Sequence, residues 1–307
     1  WSVSGGTFTS AGSTVSFDGA GAQNLTSGLQ SFAAVTVNSA ATVTTVDALT
    51  TSGDVTVSGG TLAANGGLVT VGGGVTVDGG TLSLGANLDI AGSFALSAGT
   101  FTPGANTVFV GGDWSVSGGT FTSAGSTVQL DGAAAATVSG STSFATLVID
   151  TGLVDKTKTV QFTGGTTQTA GQFTVVGAAG QLVTLSVTGA PPWSIDAASA
   201  TVGYAAVSDS TAITPITATT SFDGGGNTGW TFPASTLTWD AALAVDSDWT
   251  NGANWDLGYA PGATDSAVIN GVAGNVPVIP AATTVDDLTI NTSGGTTTTA
   301  GALNVTG

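Results

Sequence analysis

Apolar and polar residues alternate in short runs along this chain, and glycine pairs or triplets interrupt the runs at nearly regular intervals. Val55-Thr56-Val57 leads to Ser-Gly-Gly, then to Thr61-Leu62, then to a second glycine pair and Val69-Thr70-Val71. Alternation puts residues i and i+2 on one face of a strand, so each run predicts a short strand with one apolar face. The glycines predict tight corners between strands. Gly53, Gly73, Gly92, Gly112 and Gly132 stand 20, 19, 20 and 20 residues apart. Laid over one another, the segments form apolar columns: Val55, Val75, Phe94, Trp114; Val57, Val77, Leu96, Val116; Leu62, Leu82, Phe101, Phe121; and Val71, Ile90, Val110, Leu130. Trp1 falls in the first column by its place in the repeat.

A segment of about 20 residues cannot bury its own apolar face, but stacked copies can, because like residues pile into continuous interior columns. The expected fold is therefore all-β, a parallel β-solenoid (β-helix) with rungs of about 20 residues. An antiparallel sandwich would call for irregular strand lengths and hairpin signals between alternating runs, so the in-register columns favour the solenoid. Crossover chirality makes a right-handed coil the expected one.

A longer repeat overlies the short one. Residues 1–20 match 114–133 at 18 of 20 positions, including the unbroken phrase WSVSGGTFTSAGSTV. Three regions follow from the patterning: 1–132 with the clearest rungs, 133–233 with stretched, less regular ones, and 234–307, which opens on a tryptophan-rich stretch before returning to rung-like sequence. The chain begins inside a rung motif and closes on a rung-like GALNVTG. The expectation is one period of a longer tandem array, or a subunit stacking head to tail. At about 4.8 Å per rung the period would advance on the order of 70 Å along the axis.

Composition supports strands and narrows the chemistry. Of 307 residues 48 are Gly, the hydrophobic fraction is 41%, and Cys, Met, His, Glu and Arg do not occur. The 19 acidic residues are all Asp, against Lys156 and Lys158, for a net charge of −17. Such a surface has nothing to neutralise phosphates, which argues against nucleic acid and anionic lipid as partners. No apolar run approaches a membrane span. Near-freedom from tryptic sites suits a protein outside the cell, and the chain reads as a mature piece whose secretion signal lies elsewhere.

The usual general bases, thiol nucleophiles and oxyanion clamps are missing, so the chain reads as non-enzymatic. The pair Asp286-Asp287 is read as two strand neighbours pointing to opposite faces, which cannot converge on one bond. Asp246, Asp248 and Asn251 cluster hard oxygen donors of the kind calcium accepts, within DSDWTNGANWD. The competing reading is a polar turn whose side chains bond local backbone, and no other cofactor is expected. Asn24, Asn291 and Asn304 begin N-x-S/T sequons and are candidate glycosylation positions. Lys156 and Lys158 read as solvated lysines on a strand edge that discourage sideways pairing. Trp193, Trp230, Trp239, Trp249 and Trp255 read as core or cap residues before ligand platforms.

The tryptophan-rich stretch carries a pattern formed by Trp249, Asn254, Trp255, Gly258, Pro261, Asp265, Ala267 and Ile269, and the preceding region closes on Gly226-Asn227-Thr228-Gly229-Trp230. With the rungs, these features resemble long repetitive bacterial surface proteins with β-helical passengers, of the autotransporter and filamentous-haemagglutinin type. The resemblance implies secretion, surface display and no enzymatic activity. The expected function is an extracellular structural protein, forming a rigid fibre, sheath or surface layer by head-to-tail self-association or tandem repetition. The alternative is an adhesive or carbohydrate-binding stalk at the cell surface, with extracellular polysaccharide or glycans as partners.

Overall fold

Three short strand segments and three corners make one turn of this molecule, and each turn lies on the next in parallel register. The computed structural model describes residues 1–239, 244–270, 275 and 277–291, and the backbone of 298–299 and 304–305. It is all-β, a parallel β-solenoid of about 13 turns. One 13-stranded parallel sheet runs from Thr14–Phe17 to Phe222–Asp223, and an 11-stranded one from Ser31–Phe32 to Thr228–Thr231. Strand Val55–Ala64 shows how a rung turns: Val55–Val57 pairs with Val75–Val77, the chain bends at Ser-Gly-Gly, and Thr61–Ala64 pairs with Thr81–Leu84. Corners of this kind require glycine. At Gly99, φ is 74° and a Cβ would collide with the Gly80 carbonyl oxygen of the rung before it.

The predicted columns are paired residue to residue. Val55, Val75, Phe94 and Trp114 are successive partners, as are Val71, Ile90, Val110 and Leu130, and all are buried. Each such side chain contributes roughly 1.5–3 kcal/mol by leaving water. Side chains at the corners add hydrogen bonds between rungs. Asp54 accepts from the Gly74 N–H (2.8 Å), Asn87 from Thr107 (2.9 Å), Ser93 from Asp113 (2.9 Å) and Asp113 from Thr137 (2.7 Å). The corner backbone donors, which no strand ladder serves, thus find partners one rung away.

Several residues depart from the expectation. Trp1 is 45% exposed, its ring packed on Phe8 and Phe32, whereas Trp114 of the internal copy is fully buried between Phe94 and Phe144. Val116 and Phe121 are half-buried. The rung above pairs with Trp114 and Ser115 and then diverges after Ser139, so no strand of that rung pairs over Val116 or Phe121. Lys158 is not a solvated edge residue: it is 1% exposed and alternates inward with Val160 and Phe162. Asp286 and Asp287 sit at a corner between strands Thr284–Val285 and Leu288–Asn291 rather than within one strand.

In region 133–233 the rungs change length at their corners. Thr167 pairs with Ser194, but Trp193 pairs with Ser210, so successive turns lengthen and shorten around a common core. That core extends from Phe17 to Ala218, with Trp230 and Phe232 packed at its edge. A second, separate core follows, built on Leu237, Trp239, Trp249, Trp255, Ala267 and Ile269 and laid on a three-stranded parallel sheet, Thr236–Trp239, Ser266–Asn270 and Leu288–Asn291.

Candidate functional site

The turn that carries the calcium candidates is a polar cluster organised by a buried amide. Asn254 sits at the end of a short 3-10 turn, Gly252–Asn254, that Asn251 caps through a bond from the Ala253 N–H (3.1 Å). The Asn254 side chain donates to Asp246 Oδ1 (2.7 Å) and to the Asp248 carbonyl (2.8 Å), and accepts from the Val245 N–H (2.8 Å). Asp246 Oδ1 also accepts from the Asp248 N–H (2.8 Å), and its Oδ2 from Asn251 Nδ2 (2.9 Å). Asp248 accepts from the N–H and hydroxyl of Thr250 (2.9 and 2.8 Å). The Asn254 amide, then the Asp248 N–H, then Asn251 hold the Asp246 carboxyl below its ordinary range. The three candidates are thus brought together, with N–H and hydroxyl donors already aimed at their oxygens. Among the described residues no group of three or more acidic side chains is arranged to hold a metal ion.

The tryptophans around this turn are structural. Trp249 and Trp255 meet edge to face at 4.7 Å, Trp239 and Trp255 at 5.3 Å, and the Trp255 indole donates to the Trp249 carbonyl (2.9 Å). Trp193 is buried against Phe162, rings stacked at 3.9 Å, and Trp230 is partly buried with its indole on Ser210 Oγ (3.0 Å). Other members of the surface-protein pattern also have local tasks. Asp265 accepts from the Ser235 and Gly262 N–H groups (2.8 and 3.0 Å), Ala267 and Ile269 face the second core, and Pro261 is buried. Asn227 accepts from the Ser210 N–H (3.1 Å) and donates to the Val207 carbonyl (2.7 Å), which ties the Gly-Asn-Thr-Gly-Trp segment to the preceding rung.

Of the sequon residues, Asn24 is exposed on strand Gln23–Leu25, and Asn291 is exposed while its amide donates to Asn270 Oδ1 (3.1 Å). Asn304 lies in the short strand Asn304–Val305, and its side chain falls outside the described residues.

The two lysines occupy opposite environments. Lys156 stands in the loop 151–157, paired with Asp150 at 2.6 Å. Burial there works to raise the Asp150 carboxyl, but bonds from Lys156 and the Gly152 N–H outweigh it and leave it lowered. Lys158 points into the solenoid and donates to the carbonyl oxygens of Gly132 and Ala134 (3.2 Å to the latter). Burial lowers its affinity for a proton, partly offset by Asp131 and Asp113. Burial likewise raises the Asp131 carboxyl, helped by Asp89.

Sequence reasoning did not find a cleft that lies between the outward face of the first solenoid and the 250–260 turn. The 250–260 turn folds back on the outward face of the first solenoid, where Gly258 (φ 84°) comes so close that a Cβ would lie 3.1 Å from Gly180 Cα. Tyr259 packs against Phe222, ring centroids 5.5 Å apart. The contact joins residues far apart in sequence, and no local pattern announces it. Comparison with protein-family models, with curated proteins and with solved structures found no match for this chain.

Proposed function

We propose that this chain is a non-catalytic structural module of an extracellular fibre, sheath or surface layer, continued rung upon rung by further modules of its own kind. The observation that carries the reading is the use of one phrase at two heights of one stack. Residues 114–116 pair in register with Phe94–Leu96 beneath, and the same phrase recurs at residues 1–15, where Ser2 bridges Thr26 as Ser115 pairs with Ser139. A solenoid whose rungs are interchangeable in this way extends by adding rungs, and a heterologous, head-to-tail contact that does not close generates a filament. The hydrogen bonds from corner side chains to the next rung support the same reading, because they stiffen the stack along its axis. The strongly acidic surface keeps such filaments apart sideways while leaving axial contact to apolar columns.

Electron microscopy of the purified chain and of the native material is the test. Filaments with an axial repeat of about 4.8 Å are expected. Monodisperse particles in both preparations, over a wide concentration range, would refute the assembly.

A further inference from the structure

The cleft under the 250–260 turn has a chemistry of its own. It is a solvent-open cleft of about 470 Å³ between Leu182, Thr184 and Phe222 on the solenoid side and Thr250, Gly252 and Tyr259 on the turn. That volume lies within the range of small-molecule sites, about 300–1,000 Å³. We propose that this cleft binds a neutral pyranose unit, free or within a glycan.

Charge, shape and hydrogen bonding each contribute. In a chain of net charge −17, none of the residues lining the cleft is an aspartate or a lysine, so it favours an uncharged ligand. Phe222 ends an outward-facing column that runs Thr184, Ala206, Phe222, and it is 39% exposed although Tyr259 stands beside it. An open aromatic face in a concave site is matched by the C–H face of a sugar ring, which covers apolar area without bringing a charge. The hydroxyls required for the polar edge of the ring are at hand. Thr184 Oγ1 has no protein partner among the described residues, and Thr250 Oγ1, which donates to Asp248 (2.8 Å), keeps its lone pairs as acceptors. Gly252 and Gly258 lend backbone to the wall, and their missing side chains let the turn close on itself and on Gly180, which sets the shape of the cleft.

This inference goes beyond the scaffold reading, and its test uses dissolved protein, so it stands or falls whether or not filaments form. Saturation-transfer NMR and calorimetry of the full chain would be run with glucose, mannose, N-acetylglucosamine and a linear trimer of each. At least one sugar should bind saturably, and a trimer binding more tightly than its monomer would identify a polysaccharide chain as the source rather than a free sugar. Phe222→Ala should weaken binding about tenfold through loss of the stacking face. Thr184→Val, which keeps the side-chain shape and the fold, should weaken it about threefold through one hydrogen bond. Val154→Ala, on a loop tip outside the cleft, should change nothing. No saturable binding of any of the six sugars, or binding unchanged in both cleft variants, would overturn the proposal.

Discussion

Single residues in the interior columns face a neighbour above and a neighbour below, which sets the cost of changing them. Val77 lies between Val57 and Leu96 and is fully buried. Val77→Asp buries a carboxylate with no partner and is expected to cost several kcal/mol, read as a large fall in the denaturation midpoint. A melt like the parent's would place that column outside the core. Asp47 illustrates the opposite case at a corner. Burial raises its carboxyl, but the N–H groups of Ser27 and Gly28 (2.7 Å each) outweigh burial and leave it below the usual range. A lowered carboxyl binds its proton less tightly folded than unfolded. Its stabilisation is therefore present above the unfolded value, about 3.9, and is lost as pH falls through the folded one. The stability difference between the parent and Asp47→Asn should be constant near neutral pH and shrink in acid, measured by denaturant titration at a series of pH values.

Elements in this molecule are short, and what holds them is the stack and a few polar hubs. The turn 246–256 depends on Asn254, whose amide bridges Asp246, Asp248 and Val245. Asn254→Ala removes a fully buried amide and its bonds to these exposed groups, which water then serves, and is expected to cost about 1–2 kcal/mol. The loss should appear as a lowered midpoint in the tryptophan-fluorescence transition, to which Trp239, Trp249 and Trp255 of the second core contribute. The same turn gives a ligand-removal experiment. The Asp246 and Asp248 oxygens already receive N–H and hydroxyl donors, so the fluorescence transition is expected at the same temperature in calcium and in chelator. A rise with calcium would support the cation reading of Asp246, Asp248 and Asn251.

The whole molecule presents proteases with very little. Lys156 sits in the loop 151–157, whose tip residue Val154 is 95% exposed, while Lys158 is enclosed. Trypsin should therefore cut the native chain after Lys156 and spare Lys158, giving two fragments visible after denaturation. The halves should stay joined in native gel filtration. Strand Ser143–Ile149, before the cut, pairs along its length with Thr167–Val176 after it, and Ala136–Ser139 pairs with Lys158–Thr163. Separation of the halves without denaturant would show that the stack is weaker across this loop than its pairing implies.

The order of rungs, the inward columns and the glycine corners were legible in the sequence, because a solenoid repeats one local rule and each rung is its neighbour's template. The paired columns Val55–Val75–Phe94–Trp114 and Val71–Ile90–Val110–Leu130 are direct readings of spacing. The polar-turn alternative for Asp246, Asp248 and Asn251 was legible too, since Asn and Asp bond nearby backbone wherever the chain turns sharply. The tertiary structure decided what depends on neighbours in space. It decided that identical letters leave Trp1 open and Trp114 buried, since burial belongs to the rungs on either side and not to the residue. It decided that Lys158 turns inward to the carbonyls of Gly132 and Ala134, acceptors on the rung before it that the local alternation does not specify. And it decided that Gly258 meets Gly180 and Tyr259 meets Phe222, a contact of the second core's turn with the solenoid's outward face that no periodicity in either one encodes.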